Sequence, residues 1–145
     1  MVDCKHGKIQ LDNLCIHKFT RQKDIEQRKD WELFLKTSDY AHFAYMGDVD
    51  DPDVYAIHLC FKRNKLIEIY LWPQSEHCAY HCIEPDHPSQ DIHYFYHNLD
   101  TMAKEVSAWL HSKQGSNEQK YSWGRVEFLN DTKRNYFICV RIIFS

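Results

Sequence analysis

The sequence predicts an α+β domain: a mostly antiparallel sheet of about six or seven strands, covered by one long amphipathic helix, with a shorter N-terminal helix. Three observations predict it. Tyr55, Ile57, Leu59 and Phe61 alternate with Ala56, His58 and Cys60, the period of two expected of a strand. Leu99, Met102, Ala103, Val106, Trp109 and Leu110 recur at spacings that place them on one helical stripe. Phe137, Cys139, Arg141 and Ile143 alternate with Ile138, Val140, Ile142 and Phe144 near the end of the chain. Sequential hairpins favour antiparallel pairing over a doubly wound parallel sheet. At 145 residues the chain is one domain of 1–145.

The elements follow in order. Lys8 to Leu11 and Leu14 to His17 flank Asp12-Asn13, a short hairpin. Thr20 is read as the N-cap of a helix with Asp24 in its first turn. That helix runs to about Lys29, and Trp31, Phe34 and Leu35 extend its pattern to Lys36. Tyr40 to Met46 reads as a strand. Gly47 to Asp53 is an acidic loop bounded by glycine and proline. The alternating strand ends at an Arg63-Asn64 turn and returns over Lys65 to Trp72, with Ile67, Ile69 and Leu71 on one face, and Pro73 stops it. Residues 74–90 are irregular, with Pro85 and Pro88. The long helix spans 91–113 and ends near Gly115. Tyr121 to Leu129 and Tyr136 to Phe144 form the last hairpin, and apolar groups on both faces of its second strand make that strand central.

Composition narrows the function. Hydrophobic residues are 43% and charged residues 27%, with four glycines and four prolines, which is globular rather than low-complexity composition. No apolar run approaches the ~20 residues that cross a bilayer, and the polar start carries no secretory signal. A net charge of −3 disfavours nucleic acid as a partner. Cys60 and Cys139 sit inside apolar strands and read as buried free thiols, the cysteine usage of a reducing cytoplasm.

Signatures of common enzymes are missing: no Gly-rich phosphate loop, no Gly-x-Ser-x-Gly, no His-Glu-x-x-His and no Cys-x-x-Cys. The sharpest chemical cluster is His77, Cys78, His81 and Cys82, followed by His93 and His97. The i, i+4 spacing of His77/His81, Cys78/Cys82 and His93/His97 suits one helical face, so a metal-binding protein or small metal-dependent enzyme using 77–97 is the alternative reading. Against it, prolines crowd the first cluster, and its two pairs would point about 100° apart on a helix. Cys78 or Cys82 beside a histidine also suggests a thiolate nucleophile, but no orienting third residue accompanies them. Asp48, Asp50, Asp51 and Asp53 do not fit a calcium loop, because glycine precedes the acids and Pro52 interrupts them. They read instead as a negative patch that, with Glu84, Asp86 and Asp91, steers a basic partner. Tyr80, Tyr94 and Tyr96 are the candidate aromatic anchors beside them.

Ala108-Trp109-Leu110, then Gly115, then Tyr121-Ser122-Trp123-Gly124-Arg125-Val126, then Asp131 and Ile138 to Ile142 form an ordered pattern. A short hairpin ending in Thr20 and a hairpin from Phe61 to Leu66 precede it. This pattern resembles small cytosolic bacterial immunity proteins of toxin–immunity systems, or their uncharacterised cassette-borne relatives. The chain departs from the pattern at Phe144-Ser145, where a tyrosine ending is expected, and in its His/Cys-rich stretch at 75–97. The resemblance implies a non-catalytic cytoplasmic protein that binds and neutralises a cognate toxin, a basic nuclease-type toxin being the expected case. It implies no cofactor, no membrane partner and a monomer or homodimer. It assigns Tyr121, Trp123 and Gly124 structural roles.

Overall fold

A computed structural model describes residues 1–11, 13–46, 54–73, 90–131 and 137–145, the side chains of 55, 90–99 and 137 excepted. The described residues form ten strands and two helices. A three-stranded sheet contains β1 (Val2–Asp3), β2 (Lys8–Leu11) and β3 (Leu14–Ile16). Helix α1 (Gln22–Glu26) follows. A seven-stranded antiparallel sheet has the order β4 (Trp31–Lys36), β5 (Tyr40–Tyr45), β6 (Val54–Lys62), β7 (Lys65–Pro73), β10 (Phe137–Phe144), β9 (Gly124–Asp131) and β8 (Glu118–Tyr121). Helix α2 (Gln90–Gln114) connects β7 to β8 in sequence.

The predicted fold class is therefore corrected. Sheet dominates: the described residues hold ten strands in two sheets rather than six or seven in one, and among them no helix spans the whole of the large sheet. α2 packs against β7, β10 and β9, strands four to six of the seven. The N-terminal helix is five residues long, and residues 31–36 are a strand. The reason is a β-bulge: Leu33 pairs with Phe43 and Leu35 with His42, so Phe34 is an extra residue. A bulge breaks the period of two. Trp31, Phe34 and Leu35 thereby acquire helical spacing while pairing as a strand. The helix N-cap also moves, from Thr20 to Arg21, whose N–H donates to the Asp24 carboxylate at 3.2 Å. Thr20 is buried, and its hydroxyl accepts from the His17 N–H at 3.0 Å. The segment 121–129 is not one strand either, since the chain reverses at Ser122 and Trp123 to pair Tyr121 with Gly124.

One face of the large sheet makes the main core. Ile57, Leu59, Phe61, Leu66, Ile69, Leu71, Val140 and Ile142 are buried there, joined by Met102, Val106 and Leu110 of α2. Ile9, Ile16 and Ile25 bring the small sheet and α1 onto the same cluster. The β6–β7 turn at Arg63 and Asn64 has positive φ at both residues, 49° and 68°, the backbone twist that a tight hairpin needs. A second irregularity lies just beyond it: Phe61 pairs with Leu66 but Cys60 with Glu68. Ile67 is the extra residue, so Leu66, not Ile67, joins Ile69 and Leu71 in the core. No helix among the described residues is long and apolar enough to cross a membrane.

Candidate interaction surface

Period-two alternation fixes what the second face of the large sheet carries. Opposite the core residues stand His42 of β5, His58 and Cys60 of β6, Glu68, Tyr70 and Trp72 of β7, Arg141 of β10 and Glu127 of β9. Register confirms the grouping: His42 pairs with Cys60, His58 with Tyr70, Cys60 with Glu68, and Arg141 with both Tyr70 and Glu127. Cys60, Trp72 and Cys139 are buried yet stand apart from the main core cluster. This face thus has an interior of its own.

Two polar layers cross it. In the first, Cys60 Sγ lies 3.3 Å from His42 Nε2. Burial pushes the Cys60 thiol up to about 11, with Glu68 adding to the shift. Burial also lowers His42, against the opposing charge of Glu68. Both effects favour the neutral forms, a thiol beside a neutral imidazole. An activated nucleophile needs the reverse, a depressed thiol pKa beside a positive neighbour. In the second layer, Arg141 donates to Glu127 through Nε, at 2.8 Å, and through Nη2, and its Nη1 lies 4.0 Å from Glu68. Tyr70 donates to Glu68 at 2.5 Å. Burial opposes the charge on Arg141, but the bond to Glu127 and the two carboxylate charges outweigh it and raise its pKa. Burial, then the bond to Glu68, raises Tyr70, so its hydroxyl stays a donor.

Aromatic rings continue the surface toward the sheet edge. His58 lies 4.7 Å from Trp72 and 5.1 Å from Phe34, and Phe34 lies 5.7 Å from His42. Burial among these rings drops His58 to about 4, with the nearby His42 contributing. Phe34 belongs to β4, the outermost strand. There the surface opens: Leu33, Phe34 and Leu35 are 43%, 51% and 49% exposed. The bulge turns Phe34 and Leu35 toward the His42–His58 face and leaves Leu33 in phase with the core face. An edge strand with three consecutive exposed apolar residues is an unusual liability in a folded domain. The strand also carries two blunting devices, the bulge at Phe34 and the flanking charges Glu32 and Lys36.

The site residues singled out from sequence fall outside the described side chains. Asp48, Asp50, Asp51, Asp53, His77, Cys78, Tyr80, His81, Cys82, Glu84 and Asp86 lie outside the described residues. Asp91, His93, Tyr94, Tyr96 and His97 fall in the first part of α2, where only the backbone is described. Among the described residues, no group of three or more His, Cys, Asp or Glu side chains is placed to hold a metal ion. The His42–His58–Cys60–Glu68–Arg141 constellation was missed because the bulge at Ile67 puts β6 and β7 out of step when they are aligned outward from the turn. Comparison with known protein families, with curated proteins and with solved structures finds no match.

Proposed function

We propose that the protein is a non-catalytic binding module that takes a protein partner along β4 and the adjoining face of the sheet. The specific case we favour is an immunity protein holding a toxin. The observation that carries this reading is the exposed apolar edge of Leu33, Phe34 and Leu35 beside a face of His, Trp, Tyr and Arg side chains. An unpaired edge offers backbone donors and acceptors to an incoming strand, and its side chains set specificity. Trp, Tyr and Arg are the side chains that dominate binding energy at protein interfaces. Burying three half-exposed apolar side chains contributes about 1 kcal/mol each, enough to matter and too little to grip without the backbone ladder. The neutral Cys60–His42 pair supports a binding role over nucleophilic catalysis.

The test is co-expression with the protein encoded beside this one, scored by cell growth. The wild-type chain should rescue growth from a toxic neighbour. A Phe34→Asp/Leu35→Lys variant should lose rescue, with affinity down by about tenfold or more. Its melting temperature should hold, because both side chains are about half exposed. Full rescue by that variant would remove β4 as the gripping surface. No rescue by the wild type would remove the toxin reading.

A further inference from the structure

A separate pocket lies where the β1–β2 turn, the loop after β3 and the β8–β9 turn meet. Its volume is about 270 Å3, at the small end for ligand sites. Lys8, Lys18, His6 and His17 line it together with Phe19 and Trp123, and no carboxylate is among the lining residues. Asp3 lies beside the pocket: its Oδ2 is 2.7 Å from His6 Nδ1, and its charge also acts on Lys8. We infer that this pocket binds a phosphate monoester that also bears a planar ring.

Both halves of that ligand have a built counterpart. For the anion, two lysines balance the nearly two negative charges of a phosphate monoester near neutral pH. His17 adds a donor of defined direction. Its Nδ1 accepts from the Phe19 N–H at 3.1 Å, which puts the ring proton of the neutral tautomer on Nε2. For the ring, Trp123 is a fixed boundary that offers an edge, its indole being already stacked on Tyr121 and covered by Gly7. Its Nε1 donates to the Lys5 carbonyl at 2.9 Å, and its indole stacks on Tyr121 with centroids 5.2 Å apart and planes 6° apart. Gly7 packs so closely that an added Cβ would lie 2.7 Å from the indole. Phe19 is the wall on which a planar ring can stack. It is 73% exposed, and Lys18 Nζ lies 5.3 Å from its ring centroid. That arrangement sets a charge over one face of an exposed ring. The loop bearing it is pinned from both ends, since the Thr20 N–H donates to the His17 carbonyl at 2.9 Å and the His17 N–H to the Thr20 hydroxyl. A rigid boundary, a pinned loop and fixed donors lower the ordering cost of binding. This inference uses none of the residues of the β4 surface, so the two readings fail separately.

The experiment is calorimetric titration of the full chain with phenyl phosphate, inorganic phosphate and phenol, with the Trp123 indole N–H followed by NMR. Phenyl phosphate should bind at least about fivefold more tightly than inorganic phosphate, the advantage of one stacked ring, and should shift the indole signal. Phe19→Ala should erase that advantage and leave the melting temperature in place, because the side chain is exposed. Lys8→Gln/Lys18→Gln should weaken phenyl phosphate by about tenfold or more. Uridine monophosphate and phosphotyrosine amide distinguish the source of the ring. Either one binding above inorganic phosphate supports the proposal, and the tighter one names the source. Equal affinity for phosphate and phenyl phosphate would overturn it, leaving a plain cationic patch. So would an unmoved indole signal, or a Phe19→Ala variant that keeps the ring preference.

Discussion

Gly124→Ala tests how the end of the large sheet is closed. Gly124 opens β9 at φ 153° and pairs with Phe144. An added Cβ would lie 2.0 Å from the Ile143 carbonyl oxygen, 3.0 Å from its carbon and 3.1 Å from Phe144 Cα. All three are backbone atoms, so no side-chain rotation relieves the overlap. β9 must move from β10 by roughly 1 Å to restore ordinary contact. That movement breaks the bond from the Ser145 N–H to the Trp123 carbonyl, now 3.1 Å, and strains its neighbours, a loss of about 1–2 kcal/mol. The backbone conformation costs an L-residue about another 1–2 kcal/mol. Loosening Phe144 and the Trp123 ring 5.5 Å from it adds about 1 kcal/mol of exposed apolar surface. The sum is about 3–5 kcal/mol, which at this chain length lowers the melting temperature by about 10 °C or more. Gly115→Ala is the internal control. Gly115 has φ 81° but nothing within 4 Å of an added Cβ, so only the conformational cost of about 1 kcal/mol remains. Calorimetric melts of the two variants should differ by several degrees. Melting of Gly124→Ala within about 2 °C of Gly115→Ala would refute the steric argument.

Two further outcomes follow from the second face of the sheet. The folded-state pKa of His58, about 4, lies below the ordinary 6.5, so the unfolded chain takes up the proton first. Stability from this site is present above pH 6.5 and is lost as pH falls toward 4, up to about 3 kcal/mol, and His58→Gln should flatten that part of a pH–stability curve measured by urea unfolding. An unchanged curve would show that His58 is protonated as easily folded as unfolded. Cysteine alkylation followed by peptide mass spectrometry should mark the exposed Cys15 well before Cys4 and Cys60. Burial pushes both of those thiols to about 11, two units above the ordinary thiol value of 9.0, so their thiolate fractions fall about a hundredfold. Cys60 reacting as fast as Cys15 would mean that its face of the sheet opens readily.

The sequence carried the core more clearly than the surface. Ile57, Leu59 and Phe61 announce a buried face because burial selects apolar side chains at every second position, and Arg63-Asn64 marks its turn. The stripe Met102, Val106 and Leu110 is legible for the same reason, and all three are buried. What stayed hidden depends on single inserted residues. Phe34 and Ile67 each shift the phase of a strand by one, and a pattern read without them assigns 31–36 to a helix and places Ile67 in the core. Both bulges are set by pairing with the adjoining strand of a hairpin, as in Leu33 with Phe43, and the pattern of one strand alone does not show them. The acidic and His/Cys-rich clusters stood out because local density is visible in one dimension.

The two bulges also explain why this domain has two interiors rather than one. Without the extra residue at Ile67, β7 would present Glu68 and Tyr70 to the core beside Leu59 and Ile57. With it, those polar groups meet Arg141, His58 and Cys60 on the other face, where each finds a partner. Two carboxylates, a guanidinium and two imidazoles there would be costly if unpaired, and the pairing of Arg141 with Glu127 and Glu68 across strands, with the Tyr70–Glu68 bond along β7, offsets that cost. Such a face is stiff, because moving one strand breaks bonds on its neighbours. The bulge at Phe34 then joins that face to the edge, since it rotates Phe34 and Leu35 toward His42 and His58. A partner strand laid along β4 would meet backbone donors at the edge and a preformed aromatic wall beside it. The same inserted residue that disguises β4 as a helix in the sequence is what makes its surface continuous with the rest of the candidate site.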